Sequence, residues 1–200
     1  MSQPKDRYGF NSAYIEKSSE TITAGNKVST DEKIYIEGNK EARYIKETSY
    51  ISMMGEDQSN VSEKVVITDP DWIISYDPET REGTKMKNTF TDQFSGMSEE
   101  NMKKMSEQMG DALKTDVKDG GTGVVAGKEC KITIAETDLM GMKTTSKIWS
   151  YKNFEMKVES NTSGNIIKSV VNKFEENVTI DPKNITVPSD VLLNVVESPF

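Results

Sequence analysis

Histidine is absent from this 200-residue chain, and cysteine occurs once. Without an imidazole there is no Ser-His-Asp triad, no Cys-His pair, no histidine general base and no histidine-ligated metal. The lone Cys130 excludes an internal disulfide and any zinc or iron-sulfur site built from several cysteines. Long apolar runs are missing too, since nothing approaches the ~20 residues that span a bilayer as a helix. Basic residues are outnumbered, with 25 Lys and Arg against 33 Asp and Glu and a formal net charge of -8. That balance disfavours a nucleic-acid backbone or an anionic lipid surface as partner, because both select clustered positive charge. The opening MSQPKDRYGF has no apolar core of the kind a leader peptide needs. A mature exported domain reads this way once its leader is gone, and the expected location is periplasmic or secreted.

What is present is mostly strand and turn. KIYIEG alternates around Ile34 and Ile36, and EARYIKETSYISMMG is long and aromatic, so the two are expected to be antiparallel neighbours. Asp69-Pro70-Asp71 and the Asp77-Pro78 segment separate further apolar runs with turn chemistry, proline fixing a dihedral while the aspartates bond their own backbone. Cys130, Ile132 and Ile134 share one face of a strand, as do Phe154, Met156 and Val158. TSKIWSY and NIIKSVVNKFEENVTI complete the series. Roughly ten half-buried strands with short connections point to a large antiparallel sheet, curved or rolled. One domain over residues 1–200 is expected, with a flexible N-terminus of about 1–7 and a tail of about 192–200.

One stretch breaks the strand pattern. In SGMSEENMKKMSEQMGDALK, Ser98 can cap a helix, Glu99 and Glu100 suit its positive end, and Gly110 lies near its close. The spacing puts Met102, Met105, Met109 and Leu113 on one stripe that Met97 extends. TDVKDGGTG then reads as a polar joint.

The chemical motifs resolve against catalysis. GGTGVVAGKEC fails the phosphate-loop spacing, because Thr122 stands where the first glycine belongs and Glu129 follows Lys128. Asp69, Asp71, Asp77 and Glu79 bracket WIISY and raise a two-carboxylate hydrolase as a remote alternative, against the plainer reading that they form turns. A methionine row selects copper(I) only with cysteine or histidine close by, and none is near. No metal or other cofactor is therefore expected, and no catalytic residue is assigned. Cys130, on an apolar strand face with no histidine to activate it, reads as a small buried hydrophobe.

The order of elements resembles the outer-membrane lipoprotein carrier (lipoprotein-sorting) superfamily of bacterial envelopes, and most closely its uncharacterised relatives. The aromatic strand leading into a Tyr-Asp-Pro turn is matched by Trp72, Tyr76, Asp77 and Pro78, and the late Asp-Pro followed by an apolar-Pro pair by Asp181, Pro182, Val187 and Pro188. The likeness covers roughly Tyr8 to Val191. It implies an incomplete barrel whose concave side is plugged by helices around an apolar cavity, and a role in shielding lipid without covalent chemistry.

Together these readings give a mainly β (α+β) fold class: a strongly curved antiparallel sheet forming an incomplete barrel, with helix or helices covering the concave face. The expected function is non-enzymatic binding of a lipid or acyl chain in the half-barrel cavity, in lipid or lipoprotein transport within the cell envelope. Met97, Met102, Met105, Met109, Leu113, Trp72, Tyr76 and Trp149 are expected to line it. The alternative is an envelope or secreted protein-interaction module with a packed core and no ligand.

Overall fold

The structure, a computed structural model, describes residues 8–24, 26–53, 56–88, 114–139 and 142–196. About three quarters of them lie in twelve strands: β1 Ser12–Thr23, β2 Asn26–Glu37, β3 Lys40–Met53, β4 Glu56–Thr68, β5 Trp72–Tyr76, β6 Glu82–Lys87, β7 Lys114–Val125, β8 Lys128–Leu139, β9 Met142–Tyr151, β10 Phe154–Thr162, β11 Asn165–Glu176 and β12 Leu192–Val196. They make one sheet in the order β12-β6-β5-β4-β3-β2-β1-β11-β10-β9-β8-β7. Neighbours run antiparallel except β12, which lies parallel to β6.

This corrects the α+β expectation. Among the described residues there is no α-helix, the sheet is open, and no helix covers either face; the sole helical element is a 3-10 turn at Pro182–Asn184. The helix expected from Ser98 to Gly110, with Met97, Met102, Met105, Met109 and Leu113, lies outside the described residues. The polar joint expected at TDVKDGGTG belongs to β7, whose pairing with β8 shifts register between Asp119 and Thr122. Glycines that read as a turn sit there in a bulge, where one strand carries an extra residue and bends. Residues 192–196, expected as tail, form β12.

The long strands share a plan. Their apolar residues crowd at one end, here called the base: Ala13 and Ile15 of β1, Ile34 and Ile36 of β2, Val65 and Ile67 of β4, Cys130 and Ile132 of β8, Val171 and Phe174 of β11. The register brings these ends together, since Ala13 pairs with Ile36, Ile15 with both Ile34 and Phe174, and Ala42 with Ile67. Hairpins at the base turn tightly. At Ala126-Gly127 both residues have positive φ (47° and 75°), the twist that suits a two-residue connection between right-twisted strands.

Two apolar clusters form at the base, on opposite faces of β2. Ile34 and Ile36 join a cluster with Ile15, Phe174, Phe154, Met156, Cys130 and Trp149, whereas Tyr35 between them packs toward Ala42, Val65, Ile67, Ile74 and Tyr76. Strand alternation makes this possible, because successive side chains point to opposite faces. The first cluster draws on β7 to β10 as well as β1 and β2, with register shifts beside Lys17 and Met156 bending the sheet between them.

Covering the second cluster is the chain after β11. Val178, Ile180, Ile185, Val187 and Val191 lie on it, tied down by Ser12 Oγ donating to Val178 O at 2.7 Å and Tyr44 OH donating to Asn184 O at 3.2 Å. The cover is irregular because Asp181-Pro182 and Pro188 interrupt it. Asp181 Oδ1 accepts from the Lys183 amide at 3.0 Å and opens the 3-10 turn. Glycine permits the tightest approach: a Cβ at Gly83 would stand 2.3 Å from Ser75 O and 2.5 Å from Tyr76 Cβ.

Candidate functional site

The sequence-derived site residues do not meet at one place. Trp72 and Tyr76 belong to the cluster beneath the segment after β11, Tyr76 buried and Trp72 partly so. Trp149 is buried in the other cluster, with Lys147 and Lys157 over its ring at 4.8 and 4.4 Å. The five methionine-row positions fall outside the described residues. All three described aromatics are taken up by packing, and the fully buried Ile15, Ile34, Ile36 and Met156 fill the space around the first cluster.

Of the candidate carboxylates, Asp69 and Asp77 are occupied by backbone amides. Asp69 Oδ1 accepts from the amides of Asp71 (2.9 Å) and Trp72 (2.7 Å), and Asp77 Oδ1 accepts from those of Glu79 (2.7 Å) and Thr80 (3.1 Å). These are side-chain-capped turns, and they fix where β5 begins and ends. Cys130 is buried with Sγ donating to Lys128 O at 3.4 Å, and burial pushes its thiol up, away from the reactive thiolate. No group of three or more Cys, Asp or Glu among the described residues is placed to hold a metal ion.

Two polar networks close the base. Glu176, at the end of β11, accepts from Lys128 Nζ (2.9 Å), from Tyr151 OH (3.0 Å) and from Lys152 Nζ, joining two base turns to a strand beyond them. Burial alone would raise this carboxyl, but the hydrogen bonds from Lys152, Lys128 and Tyr151 outweigh it and hold it down to about 2. Buried Glu41 accepts from Tyr8 OH at 2.6 Å and from Arg43 Nε at 2.5 Å, while Arg43 also reaches Glu32 at 3.2 Å. Both networks are saturated with internal partners and sit among core side chains, which marks them as fastenings rather than chemistry.

Away from the base the two faces of the sheet diverge in charge. Directly paired residues share a face, so register assembles rows that cross eight strands. One row runs Thr133, Ile148, Val158, Ser169, Ser19, Thr30, Glu47, Ser62, and the next on that face runs Ala135, Ser146, Ser160, Ile167, Thr21, Val28, Ser49, Asn60. Glu47 is the sole charge in either. The interleaved rows on the opposite face hold Glu20, Lys27, Glu136, Lys147, Glu159 and Lys168. In a chain that is 29% charged, sixteen far-end positions with one charge on one face and six on the other is a segregation.

The uncharged face has its own internal order. Thr144 and Thr162 hydroxyls bond at 2.9 Å and those of Ser146 and Ser160 at 2.8 Å, satisfying each other across β9 and β10. On the same face, Ile148 and Val158 form the next pair toward the base and Val28 lies farther along the Ser146 row, all three half-buried. On the charged face, Lys27 pairs with Glu20, Lys46 with Glu63 at 3.4 Å and Lys157 with Glu159 at 2.8 Å. Hydrogen bonds from the lysines hold Glu20 and Glu159 below the usual carboxylate range. An open groove of about 440 Å³ on that side is lined by Glu20, Asp31, Lys157, Glu159 and Lys168. The uncharged face was missed by sequence reasoning. Its signal was nevertheless present as Ser160 and Thr162 flanking Asn161 after Glu159, and Ser19 and Thr21 flanking Glu20, and only the register turns that alternation into a surface.

No protein-family model and no curated protein matches the sequence. Solved structures do resemble the fold. An uncharacterised conserved protein from Thermus thermophilus superposes with a TM-score of 0.54 at 7% identity, over 96% of this chain and 94% of that one. A β-barrel-like protein of a domain of unknown function from Brucella abortus follows at 0.45 and 6% identity, covering 84% and 99%. The lipoprotein LppX from Mycobacterium tuberculosis gives 0.36 at 10% identity, covering 86% and 91%. At such identities the likeness is one of fold alone. Among the described residues no helix is long and apolar enough to cross a membrane.

Proposed function

We propose that the chain is a non-enzymatic, exported binding protein that holds a lipid or acyl chain against the uncharged face of its far end. One observation carries this reading: sixteen residues from eight strands present a single charge on that face, whereas the interleaved sixteen on the reverse face carry six. A sheet face left to water loses nothing by carrying lysine and glutamate, as the opposite face demonstrates. A face that must be covered by an apolar chain excludes them, because stripping water from an unpaired charge costs several kcal/mol. Val158, Ile148, Ile167 and Val28 supply apolar contact, and the hydroxyls of Ser146, Ser160, Thr144 and Thr162 already bond one another, so their desolvation is cheap. The absence of histidine and the use of Asp69 and Asp77 as turn caps support a role without covalent chemistry. The sequence resemblance to envelope lipoprotein carriers points the same way and supports the exported location.

Neighbouring residues on opposite faces provide the test. Ser146→Glu places a carboxylate on the uncharged face, and Thr145→Glu places one on the other side of the same strand. Native mass spectrometry and solvent extraction of gently purified protein are expected to recover lipid from the wild type and from Thr145→Glu. Recovery from Ser146→Glu should fall at least about tenfold, the equivalent of ~1.4 kcal/mol. Lipid absent from the wild type, or lost equally from both variants, defeats the proposal and leaves the interaction-module reading in its place.

A further inference from the structure

We propose that β12 is a self-recognition edge, and that two copies of this chain pair their β12 strands antiparallel about a two-fold axis at Asn194, joining their sheets. The sheet has two edges, β12 and β7, and they differ in kind. Natural edges avoid sticking by carrying charge, bulges or proline. β7 does so, with Asp116, Lys118 and Asp119 along it and a register shift between Asp119 and Thr122. β12 does not. Its sequence LLNVV has no charge, and Leu192, Val195 and Val196 are 71%, 73% and 42% exposed. Among the described residues nothing pairs with its outer side.

The charge difference selects the occupant. Docking of β12 onto β7 would bring apolar Leu192 and Val195 against Lys118 and its partners Asp116 (3.0 Å) and Glu136 (3.5 Å), stripping water from an ion-pair network. It would also be head-to-tail, which generates a ring or an open filament rather than a two-fold dimer. Pairing β12 with the second copy's β12 carries neither penalty. With Asn194 on the axis, Leu192 faces the second copy's Val196 and Leu193 faces its Val195, so every apolar side chain meets another. The flanking strand β6 fits as well. Leu192 sits beside Glu82 and Val196 beside Met86, while Val195 sits beside Lys85 and Leu193 beside Gly83. Each row through the junction therefore holds at most one β6 charge and no opposed like pair. Asn194, the one polar residue, faces its own copy across the axis, where an amide can both donate and accept.

Sedimentation equilibrium of the full chain at about 0.1 mM, a concentration that populates an interface of modest size, is the experiment. The wild type should be a dimer. Val195→Lys, which introduces the residue nature uses to blunt edges, should weaken association at least about tenfold with unchanged circular dichroism and melting midpoint. Leu192→Lys should do the same, so that misfolding of one variant does not remove the test. Val117→Lys, on the β7 edge, should remain dimeric. A monomeric wild type, a dimer that survives both β12 substitutions, or one that dissociates with Val117→Lys overturns the proposal.

Discussion

The two ends of the same strands have been given different tasks. At the base, β1, β2, β8, β10 and β11 bring Ile15, Ile34, Cys130, Met156 and Val171 into contact and exclude water. At the far end, those strands continue for a similar length with serine, threonine and paired charges, and among the described side chains there Ser169 is the buried one. Backbone hydrogen bonding is continuous along both, so sheet pairing holds the far end in place while the base supplies the hydrophobic free energy. A sheet whose stabilising contacts sit at one end can present an extended surface at the other without filling it.

The largest effect should come from cutting into the base. Ile15 is fully buried between Ile34 and Phe174, and Ile15→Ala should cost about 2–4 kcal/mol through lost burial and the cavity left behind. Val158→Ala, half-buried at the far end, should cost under about 1 kcal/mol. Urea denaturation of the two variants sharpens the comparison. Equal losses would break it, since the far end would then be part of the core.

How far this division could be read beforehand depended on parity. Cys130, Ile132 and Phe154, Met156 announced their strands because apolar and charged residues alternate there with period two. The pair Asp69-Pro70 announced a turn, and its aspartate is the acceptor that closes it. β1 was not legible, because EKSSETIT is polar on both faces and only its neighbours make it a strand. β7 was hidden by Gly120-Gly121, whose turn signal belongs to a bulge. The division of the faces could not be seen in any single strand. Ser160 beside Glu159 is an ordinary alternation, and it becomes a surface only when Ser146, Ile167 and Thr21 are placed in the same row. Trp72, Tyr76 and Trp149 drew attention as large aromatics, yet an aromatic is as useful for closing a base as for lining a site.

Second in size is the fastening at Glu176. Its carboxyl is held at about 2 in the folded chain by Lys152, Lys128 and Tyr151, below its ordinary value of 4.5. A depressed carboxyl binds fewer protons in the folded than in the unfolded state, so its contribution is complete above the ordinary value and disappears as pH falls toward 2. The side chain is 11% exposed, and the contribution at neutral pH is on the order of 2 kcal/mol. Glu176→Gln should remove that amount at pH 7 and little at pH 2. Urea midpoints across this window should converge for wild type and variant as acid is added, and parallel curves would show that the base is closed by its aromatic rings alone.

Smallest, and most specific to the far end, is the hydroxyl ladder. Thr144 and Thr162 face each other at 2.9 Å across β9 and β10, each half-buried on the uncharged face. Thr144→Val keeps the β-branched shape and strand propensity but deletes one member of the bond, leaving Thr162 to find water. Because the far end is wet when empty, water is available, and the expected loss is about 0.5 kcal/mol in the free protein. Double substitution at Thr144 and Thr162 by valine leaves no orphaned hydroxyl and should recover most of that loss. The decisive quantity is the difference between free and lipid-saturated protein. If an acyl chain covers this face, the single variant strands a hydroxyl without water and its cost should rise to about 1–3 kcal/mol when lipid is present. Calorimetric melting with and without added lipid separates the cases. A cost that stays at the smaller value in both would mean that nothing dries this surface, and that the two ends differ in composition alone.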